Sequence, residues 1–490
     1  MKESSLLKTI CIVFLFCVMT AIASLAQTFT SLASFDGTNG SNPNYTSLVQ
    51  GLDGNFYGTT EFGGTGGRAS GWGTVFKITP AGTLTTLYNF CIQANCADGQ
   101  EPSAGLVLAS NGNFYGTTYG GGANGFGTVY KITAAGALTT LYSFCAKANC
   151  ADGALPEDAL VQGADGNFYG TTAYGGTHCP KNSPIGCGTV FKITPAGTLT
   201  TLYSFCAQAN CADGTTPVGG LVQGTDGNFY GTTGGGFPSG SLGTVFKITP
   251  TGTLSTLNGF NGFNGSGCNP YDGLVQASNG DFYGTTSGCG ANNGGTVFSI
   301  TAGGMLTYLY SFGIPNGGYP YAGLVQGTDG NFYGTTPYGE VTRPICNDLH
   351  CGTVFKITPD GTVTTLHHFI LTDGGFPTGG LLQATNGKFY GTTFRGGPND
   401  SGTVFSLSVG LGPFVQTVTT AGKVGAKVIV LGNNLTGTTS ITFNGTSAPL
   451  LKVTASAILT SVPTGATTGT VTVTTPIGTL NSNVAFRVLP

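Results

Sequence analysis

The sequence is poor in charge. Asp, Glu, Lys and Arg together make up 8% of its 490 residues, against about a quarter in ordinary globular proteins. A net charge of −3 offers no basic surface for nucleic acid, and 4 His with 20 acidic residues leave little material for acid–base catalysis. The G-x-S-x-G motif of serine hydrolases and the H-E-x-x-H motif of zinc proteases are both missing. We therefore expect neither a nucleic-acid partner nor a cofactor.

Beyond residue 26 the sequence also lacks a 3.6-residue apolar period and any long apolar run. Helices and membrane spans are therefore not expected in that part of the chain. The sequence has instead 85 Gly, 40% hydrophobic and 11% aromatic residues. This apolar content excludes a disordered chain, and glycine without a G-X-Y period excludes collagen.

Residues 1–26 have the features of a secretory signal peptide. A weakly basic start precedes an apolar run from Ile10 to Ile22, and small residues before Gln27 predict the cleavage site. An uncleaved anchor is the alternative, but the run is shorter than the ~20 residues that a span needs. We expect an exported protein, located outside the cell, at its surface or in the periplasm, with no membrane span after signal removal.

Twelve of the 14 cysteines lie beyond the predicted signal peptide and occur in close pairs. An even number of cysteines in an exported chain predicts disulfides. A zinc site would need four ligands at one point, so we expect no metal. The expected disulfides are Cys91/Cys96, Cys145/Cys150, Cys179/Cys187, Cys206/Cys211, Cys268/Cys289 and Cys346/Cys351.

Three phrases recur along the chain. LVQGxDGNFYGTT and GTVFKIT each occur seven times, whereas TLTTLYSF occurs six times after its first, isolated copy at residues 30–35. Each unit holds four β-prone runs, the first two joined by a hairpin signal of Asp-Gly or Asn-Gly. Four strands in 50–60 residues predict a propeller blade. We predict a seven-bladed β-propeller over residues 28–412, in which residues 29–35 pair with 402–408 and complete the last blade. The repeats begin near residues 47, 105, 159, 220, 273, 323 and 380.

These phrases resemble the GloVer (Gloeobacter–Verrucomicrobia) tandem repeat of exported bacterial proteins, over about 385 of the 490 residues. The resemblance implies no particular activity. From Pro413 cysteine disappears, and short alternating strands predict an immunoglobulin-like β-sandwich over 413–490. The sequences at 422–435, 441–445 and 462–473 resemble the IPT/TIG domain. That resemblance implies a spacer or a binding module.

Two sets of periodic polar residues each admit two interpretations. The Asp or Asn of each hairpin turn suggests calcium, but one carboxylate per loop is too few ligands, so turn geometry is favoured. The glutamines of the innermost strand suit either a ring that binds sugar hydroxyls or hydrogen bonds between blades. The second is favoured because buried amides need partners. These glutamines are Gln50, Gln162, Gln223, Gln276, Gln326 and Gln383.

The long connections between strands carry the residues that vary from repeat to repeat. In an up-and-down blade these connections share one face, opposite the tight turns, and rigidly held loops are where binding sites are usually built. We expect a non-enzymatic binding protein whose partner is a glycan or a surface protein. The candidate ligand-binding residues are Phe62, Trp72, Tyr119, Tyr174, Phe237, Tyr338, Phe394, Arg68, Arg343 and Arg395.

Two alternatives stay open. One is a purely structural surface or matrix protein. The other is a polysaccharide-active enzyme, a glycosidase or lyase, which would need paired carboxylates at the channel mouth. The candidate carboxylates are Glu61, Glu157, Asp158, Asp272, Glu340 and Asp348.

Overall fold

The computed structural model describes residues 27–65, 71–178, 186–235, 242–262, 266–313, 317–339 and 351–490. Within these ranges the chain forms strands and three short 310 turns, and it forms no α-helix. The prediction of an all-β protein is confirmed. The predicted signal peptide lies outside the described residues. The 310 turns are Ala94–Cys96, Ala148–Cys150 and Ala209–Cys211.

No helix in the described part of the chain has the length and hydropathy to cross a membrane.

The repeats of the described chain form seven four-stranded antiparallel sheets. Strand β1 (Thr28–Ser34) comes first and is separated in sequence from its sheet. Sheet 1 contains β2 (Val49–Gln50), β3 (Phe56–Thr60), β4 (Thr74–Ile78) and β5 (Leu84–Asn89). Sheet 2 contains β6 (Val107–Leu108), β7 (Phe114–Thr118), β8 (Thr128–Ile132) and β9 (Leu138–Ser143). Sheet 3 contains β10 (Val161–Gln162), β11 (Phe168–Thr172), β12 (Thr189–Ile193) and β13 (Leu199–Ser204).

Sheet 4 contains β14 (Val222–Gln223), β15 (Phe229–Thr233), β16 (Thr244–Ile248) and β17 (Leu254–Gly259). A small ladder follows, in which β18 (Gly267–Cys268) pairs with β21 (Gly288–Cys289). Sheet 5 contains β19 (Val275–Gln276), β20 (Phe282–Thr286), β22 (Thr296–Ile300) and β23 (Leu306–Ser311). Sheet 6 contains β24 (Val325–Gln326), β25 (Phe332–Thr336), β26 (Thr353–Ile357) and β27 (Val363–His368).

Sheet 7 combines the two ends of the repeat region. It contains β28 (Leu382–Gln383), β29 (Phe389–Thr393), β30 (Thr403–Ser408) and β1 as its outer strand. Strand β1 pairs antiparallel with β30, from Thr28 opposite Ser408 to Ser34 opposite Thr403. The N-terminal strand therefore takes the place that TLTTLYSF occupies in the other sheets.

Neighbouring sheets make the same contacts at every boundary. The tyrosine of each FYGTT strand stacks on the phenylalanine of the next; Tyr57 and Phe114 have ring centroids 4.2 Å apart. The same stack joins Tyr390 of sheet 7 to Phe56 of sheet 1, at 4.1 Å. Aromatic pairs of this kind contribute roughly 0.5–1.5 kcal/mol beyond their burial. The phrase FYGTT is fully buried in all seven sheets because it faces a neighbouring sheet on each side.

The glycine that opens GTVFKIT is required at the same boundaries. Gly73 has a φ of +95°, and a Cβ on it would lie 2.4 Å from the carbonyl oxygen of Thr60 and 2.5 Å from Cδ of Pro102 in sheet 2. Only glycine accommodates both the positive φ and the close approach. Gly402 of sheet 7 makes the equivalent contact with Pro43, which leads into sheet 1.

The innermost glutamines join neighbouring sheets by hydrogen bonds. Each Oε1 accepts from a backbone N–H in the hairpin turn of the preceding sheet. For example, Gln162 accepts from Ser110 at 2.8 Å, and Gln50 of sheet 1 accepts from Thr385 of sheet 7 at 3.0 Å. The interpretation as hydrogen bonds between sheets is confirmed. Sheet 2 has Leu108 at this position.

Residues 413–490 form two four-stranded sheets and one parallel strand pair. The first sheet has the order β31 (Gln416–Thr417), β33 (Lys427–Leu431), β37 (Ala457–Ser461), β36 (Lys452–Val453). The second has the order β35 (Thr446–Ala448), β34 (Ser440–Phe443), β38 (Val471–Thr475), β39 (Gly478–Asn481). Strands β32 (Ala421–Lys423) and β40 (Arg487–Leu489) pair in parallel. Alternate residues of both sheets, such as Val428 and Val473, share one buried core.

The seven sheets of the repeats have two chemically different ends. We call the end with the hairpin turns, residues 51–55 and 79–83 in sheet 1, the turn end. The opposite end carries the longer connections, and we call it the loop end. At the turn end one apolar cluster contains Leu106 and Leu108 of sheet 2 together with Leu431 and Ala457 of the C-terminal sheets. The C-terminal sheets therefore pack on the turn end.

Candidate functional site

A pocket of about 210 Å³ lies at the loop end, where the segments leading into the innermost strands converge. Each lining residue comes just before an innermost strand or just after the strand that follows it, so sheets 1 to 6 all contribute. The lining residues are Asn44, Tyr45, Glu61, Glu101, Ser103, Tyr119, Glu157, Asp158, Val218, Tyr271, Asp272 and Tyr321.

The lining segments are held by a turn that recurs in every sheet. In sheet 2 this turn is formed by Glu101, which has a φ of +56° and is followed by Pro102. The N–H of Glu101 donates to the carbonyl oxygen of Trp72 at 2.8 Å. The carbonyl oxygen of Glu101 accepts from the N–H of Tyr119 at 3.0 Å. These bonds connect the long loop of sheet 1 to the entry of sheet 2. The equivalent residues with positive φ are Asn42, Leu155, Thr216, Asn269, Tyr319 and Phe376. The backbone of the pocket is therefore built into the repeat, and only the side chains differ.

Three glutamates bring negative charge to the pocket. Burial, and then the nearby Glu61 carboxyl, raise the pKa of Glu157 to about 7. Burial also raises the pKa of Glu61, although a side-chain hydrogen bond from Asn44 partly stabilises its carboxylate. Glu101 contributes a third carboxyl group that adds to the repulsion on Glu61. The charged forms are disfavoured because the groups are enclosed and repel one another.

Asp158 and Asp272 form a hydrogen-bonded carboxyl pair in the same pocket. Burial is the main cause of the raised pKa of Asp158, and the Asp272 carboxyl is the second. Asp158 accepts from the N–H groups of Ala159 and Gly220, and Asp272 accepts from those of Gly273 and Gly323. Burial also raises the pKa of Asp272. The pair ties together the entries of sheets 3, 4, 5 and 6.

Four tyrosines supply the aromatic walls. The ring of Tyr321 makes edge-to-face contacts with Tyr45, at 6.1 Å, and with Tyr271, at 5.3 Å. Burial raises the pKa of Tyr119, with a further contribution from Glu157. The hydroxyl of Ser103 also lies in this pocket; the residue is 9% exposed and its Oγ has no hydrogen-bond partner. The walls thus combine aromatic faces, carboxyl groups and one unsatisfied hydroxyl.

Of the described aromatic candidates from the sequence, only Tyr119 lines this pocket. Tyr174 lies close enough to Glu157 and Tyr271 for their electrostatic influence to raise its pKa, after the larger effect of burial. Tyr338 makes edge-to-face contacts with Tyr319 at 5.5 Å and with Phe376 at 5.9 Å. Neither of these two tyrosines lines the pocket.

The remaining described candidates lie away from the pocket. Trp72 is partly buried and packs against the apolar cluster between sheets 1 and 2; its assignment to a ligand-binding surface stays a prediction. Phe62 forms a backbone bridge with Ser41, and Phe394 donates its N–H to Phe376. Arg395 forms an exposed ion pair with Asp400 at 3.8 Å. Phe237, Arg68 and Arg343 lie outside the described residues.

The carboxylates proposed for the enzyme alternative fit the pocket better than the aromatic candidates. The lining includes Glu61, Glu157, Asp158 and Asp272, whereas Glu340 and Asp348 lie outside the described residues. Sequence reasoning missed Glu101, Ser103 and three tyrosines. A usable signal was present, because the residue three places before the repeated Leu of LVQG varies among the units and is a tyrosine in three of them. In chain order these residues are Tyr45, Ser103, Glu157, Val218, Tyr271, Tyr321 and Thr378.

Disulfides occur in the loop-end connections. The bonded pairs are Cys91–Cys96, Cys145–Cys150, Cys206–Cys211 and Cys268–Cys289. Cys187 and Cys351 are also disulfide-bonded; their expected partners, Cys179 and Cys346, lie outside the described residues. Cys268–Cys289 links β18 to β21 and thus joins the connection before β19 to the connection after β20.

The periodic aspartates of the hairpin turns bind their own turn. Asp165 Oδ1 accepts from Asn167 N–H at 3.1 Å, and its Oδ2 accepts from the Tyr169 hydroxyl at 2.9 Å and pairs with Lys192 at 2.8 Å. This arrangement accounts for the aspartate by turn geometry. Among the described residues, no group of three or more His, Cys, Asp or Glu side chains is arranged to hold a metal ion.

Comparison with known protein families identifies the repeat. The sequence model of the Gloeobacter/Verrucomicrobia repeat matches residues 20–240 and 179–344, which together make up two thirds of the chain. No protein of curated function matches the sequence.

Solved structures resemble the chain at low identity. A fungal alcohol oxidase of the AA5 family, in complex with copper, is 13% identical, over 94% of this chain and 99% of its own, with a TM-score of 0.49. A putative 6-phosphogluconolactonase from Bacteroides uniformis is 18% identical, over 66% and 85%, with a TM-score of 0.43. The periplasmic gluconolactonase of Pseudomonas aeruginosa is 17% identical, over 66% and 85%, with a TM-score of 0.41. All three TM-scores are below 0.5.

Proposed function

The chain belongs to the Gloeobacter/Verrucomicrobia repeat family, and we propose that it is an exported, non-enzymatic binding protein that holds a saccharide in the loop-end pocket of a closed seven-bladed β-propeller. The observation that carries the proposal is the pocket itself, in which tyrosine faces and carboxyl groups meet at one end of the innermost strands.

Ring closure is supported by contacts that return from sheet 7 to sheet 1. The Tyr390–Phe56 stack repeats the stack found at each of the other six boundaries. Thr392 Oγ1 donates to the carbonyl oxygen of Thr46 at 3.1 Å, as Thr59 does to Ala104 at 2.7 Å. A closed ring covers the outward faces of the first and last sheets and leaves only the short outer edges of the blades, and it brings the innermost strands around one channel.

A saccharide suits the pocket because sugars present both apolar faces and hydroxyl groups. Tyrosine rings pack against the apolar face of a sugar ring, and carboxylates accept hydrogen bonds from its hydroxyls. The volume of about 210 Å³ lies below the roughly 300 Å³ at which pockets for drug-sized ligands begin. The pocket therefore accepts about one sugar residue, such as the end of a glycan chain.

The two remaining regions fit an exported protein with a covered channel. Disulfides at the loop end favour an oxidising compartment, whether that is the cell surface, the medium or the periplasm. Residues 413–490 form an immunoglobulin-like module of the IPT/TIG type, supported by the two packed sheets with a common core. In this proposal the module is a cap on the turn end of the channel.

The test compares two tyrosines of equal exposure. The mature chain is screened on a glycan array, and the best glycan is then titrated by calorimetry. Tyr271 and Tyr308 are each 39% exposed, but only Tyr271 lines the pocket. Tyr271→Ala should weaken binding by about 1–2 kcal/mol, or roughly 5–30-fold, while Tyr308→Ala leaves the affinity unchanged. Equal effects of the two substitutions would place the ligand elsewhere, and an array without any bound glycan would favour the structural alternative.

The glycosidase or lyase alternative remains the second candidate because one pocket holds several carboxyl groups. Glu157, whose pKa is about 7, has the property of a general acid at neutral pH. Incubation of the protein with the best array glycan, followed by mass spectrometry of the products, separates the two functions. Under our proposal the glycan stays intact. If the wild type cleaves the glycan and Glu157→Gln does not, the protein is a glycosidase or lyase and the proposal of a non-enzymatic binding protein is wrong.

A further inference from the structure

The charged side chains that line the loop-end pocket in the described part of the chain are all acidic. Glu61, Glu101, Glu157, Asp158 and Asp272 line it, and the described lining residues include no Lys, Arg or His. Enclosed carboxylates that repel one another are costly unless they take up protons or meet a cation. Burial and the neighbouring carboxyl groups raise the pKa values of Glu61 and Glu157, and a cation in the pocket would stabilise both carboxylates.

The aromatic walls favour an organic cation over a metal ion. Tyr321 is held against both Tyr45 and Tyr271 by edge-to-face contacts, so the ring faces stand in a defined arrangement. An ammonium group is attracted to the face of an aromatic ring by the ring quadrupole. The described residues contain no group of three or more acidic, His or Cys side chains arranged for a metal.

A second observation, independent of the acidic cluster, points to a missing ligand. Ser103 is 9% exposed, lines the pocket, and its Oγ has no hydrogen-bond partner. The Oγ atom is itself buried in the pocket wall, and buried hydroxyls are nearly always satisfied, so this one lacks a partner that a ligand reaching the wall would supply. A serine hydroxyl both donates and accepts, which suits an ammonium N–H or a sugar hydroxyl.

We infer that the ligand of the loop-end pocket carries a primary ammonium group beside hydroxyls, as in an amino sugar. The ammonium lies against the tyrosine faces and pairs with the Glu157 carboxylate, while Ser103 Oγ bonds a neighbouring polar group. This inference rests on the proposed saccharide-binding function and adds the charge of the ligand to it.

The experiment titrates three probes into the mature chain at pH 7 and low salt. Glucosamine carries both an ammonium group and hydroxyls, glucose carries only hydroxyls, and putrescine carries only ammonium groups. We expect glucosamine to bind at least tenfold more tightly than glucose and putrescine, and we expect its advantage over glucose to shrink as salt rises, because salt screens the charge pair.

The other outcomes separate the two claims. Glucose binding as tightly as glucosamine overturns the ammonium inference and leaves the saccharide proposal in place. Putrescine binding as tightly as glucosamine supports the ammonium inference and overturns the need for a sugar. Absence of binding by all three probes overturns both.

Variants assign the preference to the pocket. Glu157→Gln should remove the preference of glucosamine over glucose, whereas Asp281→Asn, which removes one carboxylate at the turn end, should keep it. Tyr271→Phe retains an aromatic face and should keep glucosamine binding within about threefold; Tyr271→Leu should lose it. Thermal melting of each variant checks that it is folded. A preference that survives in folded Glu157→Gln contradicts the assignment of the charge pair.

Discussion

The loop end and the turn end belong to the same strands but present opposite chemistry. At the loop end, carboxyl groups and tyrosines meet in an open pocket. At the turn end, Leu106 and Leu108 meet Leu431 and Ala457 of the C-terminal sheets. The seven repeats are nearly uniform in sequence. The residues that differ between repeats lie at the two ends of the strands, where they form a polar pocket at one end and an apolar contact surface at the other.

Leu108 shows this most directly. Six sheets have glutamine at this position, and each glutamine bonds the hairpin turn of the preceding sheet. In sheet 2 this position is Leu108, which cannot form that hydrogen bond. Leu108 is 5% exposed and belongs to the apolar cluster shared with the C-terminal sheets. The exception in the repeat is explained by a module that lies more than 300 residues further along the chain.

Hydrogen bonds connect the C-terminal residues to the turn ends of several different sheets. Ser456 Oγ donates to the carbonyl oxygen of Leu52 in sheet 1 at 2.6 Å, and Phe414 N–H donates to Thr385 in sheet 7 at 3.0 Å. Arg487 reaches the carbonyl oxygen of Gly224 in sheet 4 at 3.3 Å. Contacts with sheets 1, 4 and 7 place the module over the end of the innermost strands.

The largest effect is expected from a charge placed in the turn-end cluster. Leu108→Asp should lower the free energy of unfolding by about 3–5 kcal/mol, because it leaves an unpaired charge among apolar side chains. Urea denaturation measures the change. Leu451→Asp is the control; Leu451 is 52% exposed, and its substitution should cost less than about 0.5 kcal/mol. Similar losses for the two variants would show that the turn end is not a packed interface.

The loop end should respond to pH through Glu157. Its pKa in the folded protein is about 7, raised from 4.5 chiefly by burial, so the folded state binds the proton more tightly than the unfolded state. This contribution to stability is therefore lost as the pH rises from about 4.5 to 7. Glu157→Gln removes the loss and should be more stable than the wild type at pH 8 by up to about 3 kcal/mol.

The comparison is made by thermal or urea denaturation at pH 4.5 and pH 8. The difference between wild type and Glu157→Gln should be small at the lower pH, where Glu157 is protonated in the folded state and about half protonated in the unfolded state. Asp281→Asn, at the turn end, serves as the charge control. A Glu157→Gln variant that is less stable than the wild type at pH 8 would mean that the carboxylate is stabilised by a partner.

The smallest effect is expected in a hairpin turn. Asp165→Asn removes the ion pair with Lys192. The side chains of Lys192 and Asp165 are 28% and 40% exposed, and exposed ion pairs contribute about 0–1 kcal/mol to the free energy of unfolding. Sheet 2 has Asn111 at this position, and its Nδ2 donates to the Tyr115 hydroxyl at 2.9 Å. We expect a loss below about 1 kcal/mol in urea denaturation and unchanged ligand binding. A loss of saccharide binding in this variant would contradict the separation of the two ends.

The strand content and the pairing of the N-terminal strand were predictable because their signals are local and repeated. Hairpin dipeptides and alternating residues predicted the strands. Two of the repeated phrases occur seven times and the third occurs six times plus one isolated N-terminal copy, which predicted that residues 29–35 pair with 402–408. Strand β1 does pair with β30. The glutamine bonds were predictable for a related reason, since a periodic amide in a buried strand must find a periodic partner.

The pocket was only partly predictable. The sequence supplied Tyr119 and the carboxylates Glu61, Glu157, Asp158 and Asp272 as candidates, but it also supplied Trp72, which packs in an apolar cluster. Composition identifies residues that are able to bind a ligand without saying in which direction each side chain points. Tyr271 and Tyr321 escaped notice because each belongs to a different repeat, more than 45 residues from the next.

The sequence alone determined the β-strand content, the repeating turns and the proximity of the three cysteine pairs with a separation of 5 residues, because these depend on residues within one unit or on one spacing. The tertiary structure decided which residues meet at the centre of the loop end and which face receives the C-terminal sheets. Asp158 and Asp272 are hydrogen-bonded although they lead into sheets 3 and 5 and are more than 100 residues apart in sequence. Contacts between residues far apart in sequence depend on how whole sheets pack, and no local pattern specifies them.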